Sequence, residues 1–294
     1  MQHVNIRSLV KPFRIRNGKG FRLGDIKPGE TLGLNPNKQW AAQVLREGVR
    51  RLSELQERLY AQDRWGVLLV FQAIDAAGKD GAIEHVMSGV NPQGCQVSSF
   101  KAPSAEELDH DFLWRTSRHL PERGRIGIFN RSYYEEVVVV RVHPELLDRQ
   151  RLPQPLVTKD IWRERYDDIN AFERYFARNG YVILKFFLHI SKSEQRRRFL
   201  KRLDEPDKNW KFSLADAKER GRWRDYMRAY ESMIRNTATP HAPWIVVPAN
   251  KKWFARWVVA AAIIDALEAL DLKFPTVTAE RRRELQAVRS TLAS

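Results

Sequence analysis

The chain has 294 residues, one cysteine (Cys95), 43% hydrophobic and 30% charged residues, and a net charge of +15. This balance excludes a disordered chain, the lone thiol excludes an intrachain disulfide or a cysteine-built metal site, and no apolar stretch reaches the ~20 residues of a bilayer span. The cationic excess predicts a polyanionic partner (nucleic acid, anionic lipid or polyphosphate), and the lone thiol with no apolar leader predicts a cytoplasmic protein.

In chain order, residues 1–37 are rich in glycine, proline and basic side chains, with short β-like pieces such as Phe13-Arg14-Ile15-Arg16; they read as an extended arm. Over 38–62, Leu45, Val49, Leu52, Leu55 and Leu59 recur at helical spacing, a stripe suited to a core or to a contact between copies. Short apolar strands are then predicted over 67–74, 95–100, 125–130, 181–188 and 244–247. Helices are predicted between and after them over 81–87, 105–119, 160–178, 193–203, 214–235 and 253–270. That alternation argues for an α/β fold, a parallel sheet of about five strands flanked by helices. The expected domain spans 38–272, with 273–294 as a C-terminal tail or helix.

The first predicted strand runs into Asp75-Ala76-Ala77-Gly78-Lys79-Asp80-Gly81. A buried strand, a small-residue turn with a Gly-Lys pair and a following helix form the layout of a phosphate-cradling loop. The match to G-x-x-x-x-G-K-[ST] is incomplete, because Ala73 stands where the first glycine belongs and Asp80 where the hydroxyl belongs. Gly78 would let the backbone approach a phosphate, and Lys79 would place a point charge on phosphoryl oxygens. A carboxylate in such a loop repels its ligand unless a cation lies between them. Asp75, with Asp80, is therefore the candidate anchor for Mg²⁺, with Mn²⁺ as a possible replacement; the structural alternative is that Asp75 caps the following helix.

The strand over 125–130 also ends in polar residues, Asn130-Arg131-Ser132, at the strand end where parallel sheets bind ligands. Arg131 offers a fork for phosphate oxygens, whereas Ser132 and Glu135 fit a helix capping box. Between 192 and 228 lie 13 basic and seven acidic residues, which supply +6 of the net +15. Two basic helical patterns broken at Pro206 suggest a helical lid that tracks a linear polyanion.

These elements in this order resemble the second polyphosphate-kinase family, the polyphosphate:nucleotide phosphotransferases. The matching pieces are the loop at 75–81, Asn91-Pro92 with Gly94, and Phe129-Asn130-Arg131-Ser132-Tyr133-Tyr134-Glu135. Further matches are Leu188-His189-Ile190-Ser191-Lys192, Gln195-Arg196-Arg197-Arg198, Lys208-Asn209-Trp210-Lys211, Pro243-Trp244 and Pro248-Ala249-Asn250-Lys251. The resemblance implies a P-loop kinase-like (thymidylate-kinase-like) fold and Mg²⁺-dependent, reversible transfer of a terminal phosphoryl group from inorganic polyphosphate to a nucleotide. Asp75, Lys79 and Arg131 would be catalytic. Ala77, Gly78, Asp80, Gly81, Asn91, Asn130, Ser132, Arg198, Arg202, Lys208 and Lys211 would bind phosphate or nucleotide. The Asn-Arg-Ser-Tyr-Tyr-Glu version resembles the subgroup that accepts both mono- and diphosphates of adenosine, with guanine nucleotides also conceivable. A homo-oligomer, dimer or tetramer, is implied, with no specific nucleic acid and no membrane. Two other readings stay open: an ATP-dependent nucleoside monophosphate kinase, and a basic nucleic-acid-binding protein without a recognisable reader motif.

Overall fold

The structure, a computed structural model, describes residues 6–211 and 214–293. Five parallel strands form the sheet, with β2 (Gly66–Ala73) in the middle. On one side lie β5 (Tyr181–His189) and β6 (Trp244–Pro248), and on the other β4 (Ile126–Asn130) and β3 (Cys95–Ser99). The first seven residues of β2 are buried, which is why this strand runs apolar from Val67 to Phe71, with the buried Gln72 following. A sixth strand, β1 (Arg14–Ile15), lies antiparallel on β6 and covers that edge. Two residues are too few to register as a strand in a sequence pattern. The β-like piece of the arm is nevertheless this strand, so the sheet has six strands and not five.

Helices flank both faces. Helices α1 (Lys38–Gln62), α2 (Lys79–Met87) and α8 (Lys252–Glu268) pack together on one side. On the other lie α3 (Glu135–Val142), α4 (Ile161–Arg178) and α7 (Trp223–Thr237). Asn37 caps α1 by accepting from the Trp40 amide (2.8 Å). Leu52, Leu55 and Leu59 are buried within this chain, so the stripe is core and carries no argument for contact between copies. Truncating any of them to alanine would cost about 2–5 kcal/mol.

Two predicted helices are broken. Residues 105–119 form two four-residue turns, Ala105–Leu108 and Trp114–Ser117. Between them Asp111 accepts from the Leu113 amide (2.9 Å), a local side-chain bond that competes with the helix. Residues 214–235 divide at Gly221-Arg222 into α6 (Leu214–Gly221) and α7; Arg222 leaves helical geometry and donates to the Val142 carbonyl (2.9 Å). Helix α3 was not among the predicted helices. Its four consecutive valines carry little helix propensity, and packing against α7 holds them.

His189, which ends β5, is 7% exposed, and burial pushes its imidazole from the ordinary 6.5 down to about 4. Between these values the unfolded chain binds a proton that the folded chain refuses. The resulting stability is present above pH 6.5 and is lost as pH falls toward 4. At pH 4.5 the loss should be about 2–3 kcal/mol. Urea midpoints at pH 7 and 4.5 should therefore differ by less in His189→Gln than in the parent chain, once other groups are matched.

Candidate active site

The carboxyl ends of β2 and β4 are neighbours in register, Phe71 opposite Asn130, and Asp75 after the one and Arg131 after the other border one cleft. The turn after β2 needs two left-handed residues, Ala76 (φ 63°) and Gly78 (φ 92°). At Gly78 a Cβ would be strained and would sit 3.3 Å from the Arg198 guanidinium. Gly81 is different: a Cβ there would meet nothing within 4 Å, so the first turn of α2 keeps open space above it. Helix α2 starts at Lys79 with no side chain capping it, so Asp75 does not serve as its cap. Its first amides face the turn, the polarity that suits an anion.

After β4, Arg131 also adopts a left-handed conformation (φ 66°), and its amide donates to the Phe71 carbonyl (3.1 Å). Such a non-glycine residue stores about 1–3 kcal/mol of strain. Its guanidinium lies 3.5 Å from Asp75 Oδ1 and 4.0 Å from Glu135. Asn130 Nδ2 donates to Asp80 Oδ1 (2.8 Å), a second brace between the two strand ends. Ser132 is fully buried; its Oγ accepts from Gln72 Nε2 (3.1 Å) and from the Tyr134 amide (3.1 Å).

The expected capping box is absent. Ser132 Oγ takes the Tyr134 amide, Tyr134 is the first flanking residue of α3, and no side chain caps that helix. Tight turns of the Glu135-to-Ser132 type start the helix and leave Glu135 free to face the cleft. Its side chain is 15% exposed, and burial raises its carboxyl above the ordinary range against the pull of Arg131 and Lys79. Burial lowers the Lys79 ammonium, opposed mainly by Glu135. Burial also works against the Arg131 guanidinium, but Glu135 and Asp75 more than offset it and raise its pKa. Glu135 is thus the counter-charge that keeps two cations together at the strand ends.

The cleft holds about 330 Å³. Ala73 to Asp75 and Arg131 border it on the sheet side, Glu135, Val139 and His143 on the α3 side, Glu219 and Arg220 on α6, and Tyr226 and Tyr230 on α7.

Other predicted site residues fall elsewhere. Arg198, on α5 (Lys192–Asp204), is buried and commits all five of its N–H groups to the protein. Nη1 donates to the carbonyls of Ala76 (3.0 Å) and Ala77 (2.6 Å), Nη2 to those of Ala249 (2.5 Å) and Asn250 (3.3 Å), and Nε to Glu194 (2.7 Å). It therefore ties the phosphate loop to the turn after β6 and offers no donor to a ligand. A lysine cannot reproduce that fork, so Arg198→Lys should lose activity about tenfold or more, nearly as much as Arg198→Met. Steady-state rates and melting curves of the two variants would check this. Asn91 caps the short turn Pro92–Gly94, accepting from the Gln93 amide (3.0 Å), and lies beside the amino-terminal end of β3, across the sheet from the cleft. Arg202 folds back over the ring of Phe199, 5.7 Å away, outside the cleft lining. The side chains of Lys208 and Lys211 lie outside the described residues.

Beneath the site lies a network that residue-type reasoning missed. Lys185 and Glu173 are completely buried and paired at 2.6 Å. Tyr133 and Tyr134 both donate to Glu173 (2.9 and 2.7 Å), and Lys185 also donates to the Tyr134 hydroxyl (2.9 Å) and the Thr237 carbonyl (2.7 Å). The available signal was a lysine at the centre of an otherwise apolar strand, Tyr181–His189.

The Polyphosphate kinase 2 (PPK2) family model matches residues 36–275. An ADP-polyphosphate phosphotransferase of Rhodopseudomonas palustris is 53% identical over 284 residues, covering 96% of this chain and 98% of that protein. An AMP/ADP-polyphosphate phosphotransferase of Meiothermus ruber is 45% identical over 266 residues, covering 90% of this chain and 96% of its own. Among solved structures, polyphosphate kinase 2 from Arthrobacter aurescens TC1 superposes with a TM-score of 0.84 at 41% identity, covering 93% of this chain and 95% of that one. The fold is P-loop kinase-like, a mostly parallel sheet between helices.

Proposed function

Because the chain belongs to the polyphosphate kinase 2 family, we propose that it moves the terminal phosphoryl group of inorganic polyphosphate, reversibly, onto nucleoside mono- and diphosphates, AMP and ADP among them. The observation that carries this reading is the meeting of Asp75 and Arg131 at two adjacent strand ends on an open cleft, with Lys79 in electrostatic reach of both. Phosphoryl transfer asks a protein for in-line positioning and charge neutralisation more than for a covalent nucleophile. Lys79 supplies a compact charge, Arg131 a fork that can span two phosphoryl oxygens, and α2 its amino-terminal amides. Glu135 opposes the effect of burial on both cations.

The residues fit a hard divalent cation. Among the described residues no group of three or more His, Cys, Asp or Glu side chains could hold a metal. Mg²⁺, however, asks for only one or two carboxylates beside substrate phosphates. Asp75 is partly exposed with a long contact to Arg131, and Asp80 is exposed with one oxygen on Asn130, so each carboxylate keeps lone pairs available. When bound there, Mg²⁺ or Mn²⁺ would offset charge on the phosphates. An ionised acceptor phosphate needs no strong base, and no histidine is assigned a proton: the ring of His143 lies between Glu145 (3.1 Å) and Glu219 (2.9 Å).

The deciding experiment incubates purified protein with Mg²⁺, long-chain polyphosphate and AMP, ADP or a guanine nucleotide, and follows ADP and ATP or their guanine counterparts. Reactions without polymer, and with ATP as the sole donor, are the controls. Turnover with ATP alone would favour a nucleoside monophosphate kinase, and salt-sensitive DNA binding without turnover a nucleic-acid-binding protein. A homo-oligomer remains part of the proposal, read out by light scattering of the same sample.

A further inference from the structure

Gln195 lies in the first turn of α5, is 1% exposed and borders the cleft. Both ends of its amide are engaged. Nε2 donates to the main-chain carbonyl of Asp75 (3.0 Å), and Oε1 accepts from Arg220 Nη1 (2.8 Å). The same Nη1 reaches the Lys192 carbonyl (2.9 Å). A carbonyl can only accept and a guanidinium only donate, so the two partners dictate which way the amide points. Arg220 belongs to α6, part of the basic segment expected to act as a lid. Its neighbour Glu219 accepts from Tyr226 (2.7 Å) and faces His143 Nε2 (2.9 Å), so the seat of Arg220 reports where α6 lies against the core.

We infer that Gln195 is a positioning residue that couples the seating of α6 to the phosphate loop, through the path Arg220 to Gln195 to the Asp75 peptide. This rests on reading the cleft as the phosphoryl-transfer site. With Arg220 seated, the amide is locked and the Asp75 peptide is held so that its carboxylate faces Arg131. With Arg220 withdrawn, the amide loses its orienting partner and the Asp75 carbonyl loses a fixed donor. A loop misplaced by a fraction of an ångström reacts slowly while still binding substrate.

Three single variants cut the path at different points. Arg220→Met removes the α6 half. Gln195→Glu keeps an acceptor for Arg220 but turns an oxygen toward the Asp75 carbonyl. Gln195→Met removes both halves. Each should lower kcat with polyphosphate and ADP by about 10- to 100-fold, with the KM for ADP changed by less than about threefold. The Gln195→Met/Arg220→Met double variant should be no slower than Gln195→Met alone, the mark of one shared path. Independently of turnover, hydrogen exchange of the peptide covering 73–81 should quicken in Arg220→Met, although residue 220 lies on another element. Multiplicative losses in the double variant, or unchanged exchange over 73–81, would overturn the coupling; a rise in KM alone would do so too, since it marks Arg220 as a plain phosphate ligand. A parent protein inert toward polyphosphate would instead sink the functional reading, and the exchange measurement would still decide the coupling.

Discussion

Arg131→Ala is expected to lower kcat about 10³-fold or more while leaving the melting temperature nearly unchanged. A guanidinium set against a transferring phosphoryl group is worth about 10³ to 10⁵ in rate. Little of the fold depends on this side chain, which is 43% exposed and makes only long contacts with Asp75 and Glu135. Its backbone carries the larger structural cost, since φ is 66°. Arg131→Gly should therefore melt at or above the parent temperature and be as inactive as Arg131→Ala, because glycine adopts this conformation without a Cβ clash. Arg131→Lys should fall between, keeping charge but not the fork. Steady-state kinetics with melting curves on the three variants checks both halves. A loss under tenfold in Arg131→Ala would remove this residue from the reaction.

The sheet and the phosphate loop were legible because each rests on a local signal. A strand buried on both faces reads as a mostly apolar run, as β2 does from Val67 to Phe71, and a loop that approaches phosphate must carry glycine and a cation, as Gly78 and Lys79 do. The stripe of Leu52, Leu55 and Leu59 likewise marks α1. What was illegible depends on partners distant in sequence. Glu135 has the spacing of a capping residue, and only the packing of Ser132 between Gln72 and the Tyr134 amide sends it into the cleft. Arg198 has the composition of a phosphate ligand, yet the carbonyls that consume it lie about 50 and 120 positions away. Asn91 belongs to a matching motif but sits at the wrong end of the strands. Runs of arginine show where charge is, and cannot show which guanidinium is already satisfied.

Lys185→Ala is expected to leave the protein largely unfolded or insoluble. Removing one member of a fully buried ion pair strands the other, at a cost of about 3–5 kcal/mol, against a typical total stability of about 5–15 kcal/mol. Burial lowers the Lys185 ammonium, and Glu173, paired with it at 2.6 Å, opposes that shift. Glu173 would then keep only the Tyr133 and Tyr134 hydroxyls, and the Thr237 carbonyl would lose a donor. Removing both charges, as Lys185→Met with Glu173→Leu, should restore part of the lost stability, because apolar side chains can replace a buried pair, while the Tyr133 and Tyr134 hydroxyls and the Thr237 carbonyl lose these partners. Activity should not return in proportion. Tyr133 and Tyr134 follow Arg131 and Ser132 directly, and their hydroxyls end on Glu173, so the pair anchors the turn that aims Arg131 at the cleft. Urea midpoints and kcat on the single and double variants test this together: a double variant that regains stability but stays slow identifies the buried pair as the foundation of the Arg131 turn, whereas equal recovery of both would confine it to the core.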